Sequence, residues 1–131
     1  MKKIFLTTLF LVSSILMVLA QGTAEITFDK TTHSFGSFSE SNPKVTCKFQ
    51  FKNTGDGPLV IHQAIASCGC TVPRYPKEPI KPGESGEVIV TYDGTGKFPG
   101  HFRKSITLRT NGKKEITRLY IEGDMMPKES K

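Results

Sequence analysis

Beyond about residue 25, apolar and polar positions alternate with a period of two, the pattern of strands that bury one face. The stretch Lys44 to Lys52 shows it most plainly. Val45, Cys47, Phe49 and Phe51 point one way, while Lys44, Thr46, Lys48, Gln50 and Lys52 point the other. The run Asn53-Thr54-Gly55-Asp56-Gly57 then predicts a turn of residues that tolerate positive φ, and Pro58 to Ser67 resumes as an apolar strand. These two strands form either a hairpin or a corner between sheets. Prolines 73, 76, 79 and 82 each remove a backbone donor, so this part of the chain is excluded from a central strand or helix and predicts a connection across one end. Glu87 to Asp93 is the next strand, with Val88, Val90 and Tyr92 on one side. Phe102 to Thr110 and Glu115 to Gly123 follow, joined through Asn111-Gly112, a strong hairpin signal. With Glu25 to Asp29 and a short segment from Phe35 to Phe38, the count is about seven strands and no segment of helical period. The predicted fold is an all-β, immunoglobulin-like antiparallel sandwich.

The N-terminus departs from this pattern. Met1-Lys2-Lys3 is a basic start, Ile4 to Leu19 is apolar apart from Thr7, Thr8, Ser13 and Ser14, and Val18-Leu19-Ala20 offers compact residues for cleavage. Residues 1–20 therefore read as a secretory signal peptide, against the competing reading of an uncleaved anchor. A lipoprotein is not expected, because Gln21 stands where a lipidated Cys would be needed and the first Cys is Cys47. The predicted organisation is a signal peptide at 1–20, a sandwich at 21–124 and a flexible tail at 125–131. The expected location is periplasmic or secreted, with no transmembrane segment after cleavage.

Removing the leader changes the charge more than the size. The full chain has 131 residues and a net charge of +6; without Lys2 and Lys3 the charge is +4, spread along the strands. With 37% hydrophobic and 23% charged residues, the composition is that of one globular domain and excludes a multidomain enzyme. No basic stripe interleaved with aromatics is present, so nucleic acid is not an expected partner. Lys44, Lys48 and Lys52 read as a solvated face.

The one constellation with chemical character is Ser67-Cys68-Gly69-Cys70-Thr71. Three states of its thiols are open. A Cys68–Cys70 disulfide needs a tight turn at Gly69, because residues two apart in extended chain have Cα atoms about 6.5–7 Å apart, near the bridging limit of about 6.8 Å. Either Cys could instead pair with Cys47, whose inward position also suits a small core hydrophobe. Paired thiolates would also suit Cu(I) or Zn(II), but His33, His62 and His101 stand at no recognised ligand spacing, and Cys68 and Cys70 alone are a weak metal set. Arg74 and Lys77 lie close enough in sequence to lower a thiol pKa. Signals for other chemistry are absent. Gly83-Glu84-Ser85-Gly86 lacks the spacing of a nucleophile elbow and sits in a turn before a strand. Glu84, Glu87, Asp93 and Glu122 are dispersed, so no catalytic residue is assigned and no enzyme is expected.

Several segments together resemble a known family. His33-Ser34-Phe35-Gly36, Phe51 to Gly55 with Pro58 to Ile61, Ser67 to Pro73, Lys77 to Gly83 and Gly100 to Asn111 are similar to the exported bacterial domain of unknown function 1573 family. The resemblance covers most of the mature chain and rests chiefly on Ser67 to Thr71 with the downstream Pro-Gly turn. It implies an immunoglobulin-like fold, related to pilus-chaperone and major-sperm-protein domains, in a bacterial envelope protein of unassigned role. Cys47 lies outside the family motif. The resulting expectation is a non-catalytic envelope binding or assembly module whose partner is another envelope protein, with no cofactor. The competing expectation is a thiol protein that handles copper or exchanges disulfides through Cys68 and Cys70.

Overall fold

A computed structural model describes residues 22–129 as eight strands in two four-stranded sheets. In chain order they are β1 (Ile26–Phe28), β2 (Thr32–Ser39), β3 (Lys44–Asn53), β4 (Ile61–Ala66), β5 (Thr71–Arg74), β6 (Ser85–Asp93), β7 (Gly100–Thr110) and β8 (Ile116–Met126). The first sheet has the order β1-β3-β6-β5 and the second β2-β8-β7-β4. The signal peptide expected at residues 1–20 lies outside the described residues. Among those residues, no helix is long and apolar enough to cross a membrane.

The alternation in sequence becomes the interior. Cys47, Phe49 and Phe51 of β3 are buried with Val88, Val90 and Tyr92 of β6, and they face Ile106, Leu108, Leu119 and Ile121 of β7 and β8. Packing two inner faces in this way removes each strand's apolar row from water, which is the main favourable contribution to such a fold. Lys44, Lys48 and Lys52 point outward and are exposed. The Asn53 turn proves to be a corner, because β3 and β4 belong to different sheets.

Two elements differ from the sequence expectation. The eighth strand is β5, which carries Pro73. Proline is admissible there because β5 is an edge, and the register that pairs Val72 with Thr91 turns the Pro73 nitrogen toward the open side. The second difference is that β2 runs parallel to β8. Only Asp29 to Thr31 separates β1 from β2, so the chain keeps its direction as it passes from one sheet to the other. Gly36, at φ 65°, sits in the register shift between Ser34 and Ser37, the conformation expected of a bulge glycine.

The C-terminal boundary also needs correction. A flexible tail from residue 125 was expected, but β8 continues through Met126, and Met125 is buried with Gly100 as its register partner. Gly94 makes room for it, since a Cβ there would stand 2.6 Å from the Met125 sulfur.

The strand directions place different chemistry at the two ends. Residues 22–25, the Asn53 turn, the Lys81–Glu84 turn and the β7–β8 hairpin meet at one end. At the other, the Cys68–Cys70 corner lies beside the end of β6, at Asp93, and the middle of β7, at Ser105.

Candidate functional site

Ser67 to Thr71 is the corner at which the chain leaves the second sheet for the first. Ser67 N–H donates to the Ser105 carbonyl at 2.9 Å and its Oγ accepts from Ser105 N–H at 3.1 Å, which fixes the corner to β7. The Cys70 carbonyl accepts from Asp93 N–H at 2.8 Å, which fixes it to β6. Between these anchors Thr71 N–H reaches back to the Cys68 carbonyl at 3.3 Å, closing a turn that brings the two cysteine Cα atoms to 5.3 Å. That spacing admits the bridge, and Cys68 and Cys70 form a disulfide.

Gly69 sits in the tight turn expected there, but the turn does not require glycine. Its φ lies outside the positive range, and a Cβ built on it would meet nothing within 4 Å. Neither backbone conformation nor crowding demands glycine. Gly69 is exposed and adds no side chain beside the disulfide.

Thr71 is buried, with its Oγ1 3.7 Å from the sulfur of Cys68 and 3.7 Å from that of Cys70. Sulfurs in a disulfide carry no proton, so the hydroxyl is the donor and its one hydrogen is shared between the two contacts. On the outer face of the first sheet, a groove of about 510 Å³ begins at Gly69 and Cys70. Val72, Ile89, Thr91 and Thr46 form its floor, with Lys44, Arg74 and Asp93 as its charged groups. Thr95 donates to the Asp93 carboxylate from both its hydroxyl and its backbone, which holds that carboxyl below its ordinary pKa, helped by Lys44. Lys77 is engaged elsewhere, with its ammonium 3.5 Å from the Tyr75 ring centroid.

Cys47 takes no part in the bridge. It is buried in β3 and its thiol is free. Burial pushes its pKa up to about 11, with Lys30 opposing weakly. Because the folded-state value lies above the ordinary 9.0, this thiol's contribution to stability is complete below pH 9.0 and is lost as the pH rises through about 11. At neutral pH, native Cys47 should alkylate at least about a hundredfold more slowly than in the unfolded chain. Mass-resolved iodoacetamide labelling in the presence and absence of denaturant measures this, and equal rates would contradict the burial.

The other metal-ligand candidates are separated. His33 lies on β2 with Lys30 Nζ 3.2 Å from its Nδ1, and the ammonium and burial together lower its pKa, burial being the larger cause. His62 is on β4, and His101 on β7 contacts Asp124 at 3.0 Å. Among the described residues no group of three His, Cys, Asp or Glu side chains is placed to hold a metal. In the bridged state Cys68 and Cys70 present no thiolate pair to Cu(I).

Two features were not apparent from the sequence. Asn53 is fully buried at the polar end, where its side-chain amide donates to the carbonyls of Gly57 at 2.8 Å and Ile80 at 2.9 Å. Its Oδ1 accepts from Glu25 N–H at 3.3 Å and Gly55 N–H at 3.1 Å. The second feature is the free edge of β4. Ser67 faces β7, so alternation turns the backbone groups of Ala64 and Ala66 away from β7 toward the open side. Ile65, between them, is exposed on the outer face.

The two packed four-stranded sheets define an immunoglobulin-like β-sandwich. The chain belongs to the family described as protein of unknown function (DUF1573), whose model matches residues 26–125. Among solved structures it is similar to a protein of unknown function from Porphyromonas gingivalis W83, with 19% identity and a TM-score of 0.65 over 81% of this chain and 48% of that one. It therefore spans about half the length of that protein. The ASH / PapD-like domain of human CEP192 is similar over 82% of this chain and 89% of that one, with 10% identity and a TM-score of 0.64. The periplasmic chaperone SfaE is similar over 78% of this chain and 57% of that one, with 11% identity and a TM-score of 0.56. No curated protein matches the sequence.

Proposed function

We propose that this domain is an exported, non-catalytic module of the bacterial envelope that binds a partner protein by strand addition along the open edge of β4. The observation that carries this reading is the edge itself. At Ala64 and Ala66, outward-turned backbone donors and acceptors are flanked by methyl side chains that do not obstruct a neighbouring strand, and no lysine or proline within β4 protects them. Tyr75 Oη already donates to the His62 carbonyl at 3.5 Å, so the added strand runs from Ala64 toward the disulfide corner. Likeness in fold to a periplasmic chaperone supports the reading by analogy of architecture. The apolar stretch at the N-terminus supports export.

Site-specific photo-crosslinking from position 65 in producing cells tests both location and contact. A higher-mass adduct in the envelope fraction is expected from position 65 and not from position 48, on the far sheet. Ala64→Pro removes an outward-facing N–H while leaving the bonds to β7 intact, so it should abolish the adduct at a stability cost of about 1 kcal/mol or less. An adduct unchanged by that substitution, or none from position 65, counts against edge pairing.

A further inference from the structure

We propose that the Cys68–Cys70 disulfide is a thiol-accepting site, which exchanges with the cysteine of an extended acidic peptide laid in the groove over β5, β6 and β3. This inference is independent of partner binding at β4, which lies on the other sheet.

A structural bridge is valued for the loop it closes, since the stabilisation grows with the number of residues enclosed. This bridge has a sequence separation of 2, in a corner already held to β7 and β6 by backbone hydrogen bonds. It therefore adds little to the fold. Its surroundings suit exchange better. Cys70 and Gly69 form one end of the groove, Cys70 is only partly buried, and exposed Gly69 puts no side chain over the corner. Val72 is half exposed on the floor and gives apolar contact for a peptide. Lys44 and Arg74 outnumber Asp93 among the groove's charges, which favours carboxylates beside the incoming cysteine.

The chemistry balances without an outside reagent. The peptide thiolate attacks Sγ of Cys70, the cysteine that lines the groove, and forms a new S–S bond. The Cys68–Cys70 bond breaks, and its electron pair leaves on Cys68 Sγ. Thr71 Oγ1, already 3.7 Å from that sulfur, donates its hydrogen bond to the departing thiolate, which then takes a proton from water. Where the peptide carries a second cysteine, its thiolate attacks the peptide sulfur of the mixed disulfide and Cys70 leaves as a thiolate. The peptide dithiol is then oxidised by two electrons to a disulfide, and Cys68 and Cys70 are reduced to thiols.

The test uses the oxidised full chain and a synthetic peptide with one cysteine between two glutamates, followed by acid quenching and peptide-resolved mass spectrometry. The expected product is a mixed disulfide on Cys70, with Cys68 recovered as a free thiol and Cys47 unmodified. A lysine-flanked peptide should react more slowly, by a margin that shrinks as salt is added. Thr71→Val should slow the reaction about tenfold, whereas Thr71→Ser keeps the hydroxyl and the rate. Gly69→Leu stands at an exposed, uncrowded position, so it should fold as the parent does and slow the reaction by covering the sulfur. If Thr71→Val does not fold, this variant carries the test. Failure to form an adduct at neutral pH, an adduct on Cys68, or an unchanged rate in Gly69→Leu would overturn the assignment.

Discussion

Asn53→Ala should cost this domain about 3–5 kcal/mol, a large share of the ~5–15 kcal/mol that holds a typical domain folded. The side chain uses its full capacity, with two donors and two acceptor positions all engaged, in a position with no access to water. Alanine would leave the carbonyls of Gly57 and Ile80 and the N–H groups of Glu25 and Gly55 without these partners. Each buried polar group left unpaired costs about 1–3 kcal/mol, and water admitted at the turn recovers part of the sum. The backbone of the same residue adds to the junction: Asn53 N–H donates to the Glu84 carbonyl and its own carbonyl accepts from Gly83 N–H, both at 2.9 Å. The loss should therefore spread to β1, the corner into β4 and the turn before β6. Asn53→Asp should fare no better at neutral pH, because a carboxylate accepts hydrogen bonds and cannot donate to either carbonyl. Urea unfolding of the three proteins measures the effect, and a loss below 1 kcal/mol in Asn53→Ala would show that the network is dispensable.

The same junction shows how far the sequence could be read. The turn at residues 53–57 was legible, but the reason for its glycines was not. Neither Gly55 nor Gly57 has a positive φ; a side chain on Gly55 would run into the backbone of Thr23 to Glu25, and one on Gly57 into Gly22 and Thr23. Close approach by a segment some thirty residues away sets the requirement, and a local pattern carries no record of it. Asn111-Gly112 behaves in the same way. It does mark the β7–β8 hairpin, yet neither residue has a positive φ, and Asn111 bonds across the molecule to the Pro58 carbonyl at 2.9 Å and Val60 N–H at 2.8 Å. Strands with a buried face announce themselves through alternation, so β3, β6, β7 and β8 were visible. The edge strand β5 alternates too, but its inner face is Thr71 and Pro73 and its apolar Val72 points outward, so the apolar pattern does not mark it. For the cysteines, spacing left three states open. The turn from Cys68 to Thr71 decides among them by bringing the two Cα atoms to 5.3 Å while Cys47 remains in the core.

At the opposite end, Phe102→Ala should cost about 3–5 kcal/mol and should loosen the disulfide corner as well. Phe102 of β7 stacks on Tyr92 of β6 with ring centroids 3.9 Å apart and planes within 9°, so one aromatic pair joins the two sheets. Phe38 meets the Phe102 ring edge-on at 5.9 Å, and Gly123 lies beneath it, where a Cβ would stand 3.1 Å from the ring. Truncation opens a cavity that neighbouring strands cannot fill without breaking register, so the cost should fall toward the upper part of the usual range. The effect reaches the corner because Tyr92 is the register partner of Thr71, whose hydroxyl contacts both sulfurs. Burial raises the Tyr92 pKa, with Asp93 adding to it, so its contribution to stability is full below the ordinary tyrosine range and is lost as pH rises through the folded-state value. A Tyr92 ring released from Phe102 should lose part of that shift. Hydrogen exchange reads the structural consequence directly. The Asp93 amide, bonded to the Cys70 carbonyl, should exchange faster in Phe102→Ala by more than the global loss of stability accounts for, while Cys47 and Phe49, mid-strand in β3 and turned toward their register partners Val90 and Val88 in β6, follow the global change alone. Equal acceleration at all three amides would mean that the aromatic pair supports the sandwich as a whole and gives the corner no support of its own.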